Sequence, residues 1–123
     1  MNQGAAVLLM SVGAARRLGI PQERWVFLHG HADLRERPLM ERADLPRGPA
    51  AVLAATHALE TAGLTASDLD GIDLYSCFPA PVFTICDGLA IAPDDKRGLT
   101  LTGGLPGRRI AHFRALVNVT QHS

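Results

Sequence analysis

Four short β-type runs, separated by stretches of helical periodicity, constrain this chain more than any other feature of its sequence. Residues 4–10 (GAAVLLM) are continuous and apolar, the pattern of a strand buried on both faces. Residues 25–28 (WVFL) are rich in β-formers, and residues 72–76 (IDLYS) read as a third strand. Residues 99–102 (LTLT) read as a fourth, ending on Gly103 and Gly104. Between the first two, residues 11–18 predict a turn or two of helix, with Ser11 as N-cap and Gly19 as the stop. Residues 49–62 (PAAVLAATHALETA) carry Val52, Leu53, Ala55, Leu59 and Ala62 near a 3.6-residue period. Pro49 suits the first turn of that helix and Gly63 closes it. A further helix is predicted over residues 78–89, entered through Pro79 and Pro81. Such alternation of strand and helix predicts an α/β layered fold. Residues 35–47 (RERPLMERADLPR), charged and broken by Pro38 and Pro46, read as a surface excursion.

The bulk composition narrows the class of protein. A length of 123 residues fits one small domain. Twelve basic and twelve acidic side chains cancel, which argues against a dedicated nucleic-acid or anionic-membrane binder. The apolar share of 47% is ample for a core, but only six residues are aromatic, so Ala, Leu, Val and Ile must supply the packing. The apolar run 5–10 falls far short of the ~20 residues of a membrane-spanning helix. Met1 leads into Asn-Gln-Gly with no basic stretch of the secretory type, and the cytoplasm is the expected location. Residues 107–123 change character: they contain Arg108, Arg109 and Arg114 but no acid.

Several local patterns invite chemistry and carry little of it. His29, His31 and Asp33 alternate and would share one face of a strand, yet they fall short of the three or four ligands of a zinc site. Asp68, Asp70 and Asp73 lack the glycine and bidentate glutamate spacing of a calcium loop. No metal site is assigned. Cys77 and Cys86 are the only thiols and make no disulfide framework; Cys86 fits the apolar face of a helix, whereas Cys77 follows a strand, where a reactive role is open.

Residues 2–6 (NQGAA), 73–79 (DLYSCFP) and 99–106 (LTLTGGLP) together, in this order and spacing, resemble the C-terminal half of the thiolase superfamily. The similarity is to thiolase-like acetyl-CoA acetyltransferases and the related sterol-carrier-type thiolases. It implies a partial thiolase-type half, α/β in class, with a mixed β-sheet packed with helices in layers. In that family a cysteine attacks an acyl-CoA thioester or 3-ketoacyl-CoA and passes the acyl group on, by thiolysis or Claisen condensation. That nucleophile belongs to the N-terminal half, which this sequence does not match.

Carried over residue by residue, the resemblance leaves few site candidates. The family's Asn-Glu-Ala-Phe loop corresponds to residues 75–78 (YSCF), without its Asn or its Glu. Gly103 and Gly104 match the glycine strand end, but no Gly-His-Pro follows. Ser76 and Cys77 remain as catalytic candidates, with Tyr75, Gly103 and Gly104 as substrate-binding ones. The expectation is a truncated C-terminal-half domain over residues 1–106 and a divergent basic tail over 107–123, inactive alone. No cofactor is expected; a coenzyme A thioester is the family's substrate. Expected partners are acyl-CoA, a separate N-terminal thiolase-half chain, or further copies of the chain joined through an unpaired edge. The rival reading is a non-catalytic module that binds acyl-CoA or lipid.

Overall fold

The helices form where local sequence and end chemistry agree. The computed structural model of the chain describes residues 6–45, 48–74, 79–99 and the backbone of 116–119. Helix α1 spans Val12–Arg17, and the Ser11 side chain accepts a hydrogen bond from the Ala14 N–H at 3.2 Å. Helix α2 spans Pro49–Ala62, with Pro49 at the start, where a missing N–H costs nothing. Strand β1 is Gly71–Leu74, helix α3 is Pro79–Gly88, and strand β2 is Leu116–Val119.

The α-helices α1, α2 and α3 stop by the same device. Leu64 N–H donates to the Leu59 carbonyl (2.9 Å) and Gly63 N–H to that of Glu60 (3.0 Å). Ile20 and Gly19 repeat this pattern on Ala15 and Arg16 at the end of α1. Gly63 (φ 68°) and Gly19 (φ 65°) take the left-handed backbone that the motif requires. At the end of α3 the same bonds run from Ile91 to Cys86 (2.8 Å) and from Ala90 to Asp87 (3.3 Å). There the left-handed residue is Ala90, at φ 53°, where a Cβ crowds the following carbonyl.

The core is a single cluster around β1. Ile72 and Leu74 are fully enclosed by Ala55 and Leu59 of α2, Val82, Ile85 and Cys86 of α3, and Leu69 and Ile91 from the connections. Each such aliphatic side chain contributes about 1.5–3 kcal/mol on burial. Ala55 and Leu59 lie four residues apart on one face of α2. Leu53, counted with that apolar stripe from its spacing, instead turns outward and is 49% exposed.

β1 and β2 pair in parallel, Gly71 opposite Leu116 through Leu74 opposite Val119. β2 therefore lies within the stretch that composition set apart as a basic tail. This is the only strand pairing among the described residues, and it is parallel rather than mixed. The runs 6–10 and 25–28, expected as strands, belong to no helix and no sheet among the described residues. A strand is defined by a neighbour that completes its hydrogen bonds, and neither run has one among the described residues. The expected strand at 99–102 lies outside the described residues beyond Leu99.

Ala90→Gly removes the Cβ from the left-handed position and should raise unfolding stability by up to about 1 kcal/mol. Urea denaturation measures the change; an unaltered or lowered midpoint would show that α3 does not end in this way.

Candidate functional site

In sheets with parallel strands, functional groups gather beyond the carboxyl ends of the strands. Here that end is marked by Leu74, in register with Val119. Leu74 N–H also donates to the Leu99 carbonyl oxygen at 2.8 Å, so the segment that leads to Leu99 meets the same strand end. Tyr75, Ser76 and Cys77 directly follow Leu74, while Gly103 and Gly104 follow Leu99 by a few residues. These five candidate residues lie outside the described residues; the structure joins the two points of the chain from which they depart.

Arg97 fixes that junction. Its guanidinium Nη1 donates to the carbonyls of Leu69 (3.0 Å) and Ala66, just ahead of β1. Its Nε donates to both carboxylate oxygens of Asp95, at 3.0 and 3.1 Å, and its backbone N–H donates to the same carboxylate at 2.9 Å. The Asp95 carboxyl is thereby held down to about 2, chiefly by the Arg97 side chain. Asp68, read as part of an acidic turn, closes a capping box: its carboxylate accepts from the Thr65 N–H (2.8 Å) and hydroxyl (2.6 Å). Those bonds lower its pKa as well, the side-chain bond first. Asp73, in β1, is buried.

Cys86 sits in the core of α3. Burial pushes its thiol up from the ordinary value, with the charges of Asp87 and Asp95 adding to the effect, so it is not a thiolate near neutral pH. His29, His31 and Asp33 are exposed, and the Phe27 and His29 rings are 6.5 Å apart. Among the described residues no group of three or more His, Cys, Asp or Glu is placed to hold a metal ion.

A second feature lies at the opposite end of α2, where sequence reasoning expected only a surface excursion. Residues 34–44 and the start of α2 enclose an open depression of about 560 Å³, lined by Leu34, Arg35, Arg42, Pro49 and Leu53 among others. Glu36 reaches across it. Its carboxylate accepts from the Ala50 N–H at 3.0 Å and the Arg37 N–H at 2.9 Å, and lies 4.0 Å from the Arg42 Nε. Gly48, the N-cap of α2, has no side chain, and the first turn contains no acid. The free N–H groups and positive end of the helix are therefore met by a carboxylate from 14 residues upstream. A helix start without a local acceptor was the available signal.

No protein-family model and no curated protein sequence matches the chain. Among solved structures, a monomeric SCP2-thiolase-like protein type 1 from Mycobacterium smegmatis is 59% identical, with a TM-score of 0.74. The match covers 80% of this chain and 22% of that one, so the chain spans about a fifth of its relative's length. The fold is thus thiolase-like. More narrowly, the chain is a relative of the SCP2-thiolase-like proteins in sequence as well as in fold.

Glu36→Ala should lower stability by about 1 kcal/mol, the usual worth of a helix cap, with Glu36→Gln intermediate. Equal melting curves for all three proteins would contradict the capping role. The Asp95 pair predicts a pH response. Because its folded-state pKa lies below the ordinary 3.8, its contribution is complete above that value and is lost as pH falls toward about 2. Melting temperatures recorded from pH 5 to pH 2 should fall less steeply in Arg97→Met than in the parent, with Asp68 responsible for part of the remaining slope.

Proposed function

We propose that this chain is a portion of a thiolase-like acetyl-CoA acetyltransferase, supplying scaffold and part of a substrate-facing rim, and that it does not transfer acyl groups alone. The carrying observation is the 59% identity to an SCP2-thiolase-like protein of which the chain represents 22%. The expected substrate is an acyl-CoA thioester, and the expected reaction of a complete protein is thiolysis or Claisen condensation. In this reading the mixed, helix-layered sheet expected from the resemblance is complete only in a full-length protein. The rim consists of Tyr75, Ser76 and Cys77 with Gly103 and Gly104, and Ser76 and Cys77 are its catalytic candidates. The Leu74–Leu99 hydrogen bond supports the grouping, since it tethers both segments to one strand end. Cys86 is buried with a raised pKa, which leaves Cys77 as the thiol to consider.

The second reading, a non-catalytic acyl-CoA or lipid-binding module, is favoured by one feature. The cluster around Ile72 and Leu74 closes from residues of this chain alone. Both readings predict acyl-CoA binding without turnover by the isolated chain, and they part when the rest of a thiolase-like fold is added. Only the first then predicts acyl transfer.

Incubation with acetyl-CoA should release no coenzyme A above the uncatalysed rate. Alkylation followed by peptide mapping should modify Cys77 faster than Cys86, and saturating acetyl-CoA should slow Cys77 several-fold. Labelling of Cys77 unchanged by acetyl-CoA would contradict the rim.

A further inference from the structure

One guanidinium ties both ends of β1 to a single piece of chain. Residues 92–98 lead from the close of α3 to Leu99, mostly at the surface, and reach inward through the Arg97 side chain. Its Nη1 donates to the Ala66 and Leu69 carbonyls at the entry of β1. Two residues further on, the Leu99 carbonyl accepts from the Leu74 N–H at the exit, at 2.8 Å. Leu69 is buried, and Ala66 and Leu99 pack against the core cluster, so both attachments are seated in the packed part of the molecule. Asp95 aims the guanidinium: Nε donates to both its carboxylate oxygens and Nη2 to one, which turns Nη1 toward the two carbonyls. A planar fork of five donors is needed to grip a carboxylate and two carbonyls at once. Lysine keeps the charge but not the fork, so what this arrangement demands is geometry rather than charge.

We propose, resting on the acyl-CoA rim put forward above, that Arg97 is a positioning residue of that rim. By holding residues 95–97 on the entry of β1, it sets where Leu99 meets the strand end that leads to Tyr75, Ser76 and Cys77. The segment carrying Gly103 and Gly104 departs from that same point. Arg97 touches no substrate and acts through Leu99. A packing role alone costs stability and nothing else. A positioning role also weakens ligand recognition by the folded chain, because a misplacement of about 1 Å set remotely costs a site up to about a hundred-fold.

The test compares the parent with Arg97→Met, Arg97→Lys and Ile85→Val, each at a temperature where it is fully folded. Ile85→Val trims the buried core of α3 without touching a polar contact and serves as the control for lost stability. The first readout is the acetyl-CoA concentration that half-protects Cys77 from alkylation. The second is amide exchange at Leu74, the donor to Leu99, relative to exchange at Leu59 in α2. Arg97→Met should raise the half-protecting concentration about ten-fold or more and speed Leu74 relative to Leu59 by about ten-fold. Arg97→Lys should behave nearly as Arg97→Met, and carries the same reading should the latter not fold. Ile85→Val should lower the melting temperature and leave both readouts at the parent's values. Half-protection unchanged in the Arg97 variants, an equal shift in Ile85→Val, or a Leu74-to-Leu59 ratio equal to the parent's would overturn the proposal. Parent labelling indifferent to acetyl-CoA contradicts the rim itself, and the exchange ratio alone then upholds or overturns the placement of Leu99 by Arg97.

Discussion

The rest of the described structure depends on the enclosure of β1. Four residues cannot hold themselves extended in water, and β1 does so because Ile72 and Leu74 are sealed by the inner faces of α2 and α3. That enclosure positions everything with a claim to function. The carboxyl end of β1 leads to Tyr75, Ser76 and Cys77, and its last amide holds the Leu99 carbonyl from which the glycine segment departs. Arg97 then ties the same junction to the turn ahead of the strand. A small set of aliphatic contacts and one multiply bonded guanidinium thus define the strand end at which a substrate-facing rim is proposed.

How much of this was legible in the sequence follows from the range of the interactions involved. α1 and α2 were readable almost to the residue, because a hydroxyl at Ser11, a proline at Pro49 and glycines at Gly19 and Gly63 act within one turn of the chain. α3 was readable in place, although its terminating residue, Ala90, carries none of the usual signals. The Glu36 cap was not readable, since acceptor and donor are 14 residues apart, and neither were the bonds of Arg97 to carbonyls 28 and 31 residues away.

The strands show the other limit. Residues 4–10 and 25–28 have the composition of strands, but composition records only what a segment would do beside a partner. β1 finds that partner in Leu116–Val119, inside a stretch whose basic residues drew attention away from its alternating apolar ones. The resemblance to thiolases pointed to the right relatives through three short segments. The site residues themselves, Tyr75, Ser76, Cys77, Gly103 and Gly104, lie outside the described residues, so the site stands as a proposal resting on the geometry of its attachment points.

The core around β1 closes on its own residues, while Val7, Leu8, Leu9, Val26 and Leu28 stay exposed and join no sheet among the described residues. Amide hydrogen exchange on the isolated chain tests this most directly, because protection reports hydrogen bonds residue by residue. Strong protection is expected at Ala55, Leu59 and residues 72–74, and rapid exchange at residues 7–9 and at Val26 and Leu28. Protection of residues 7–9 matching that of β1 would contradict it, as would rapid exchange throughout.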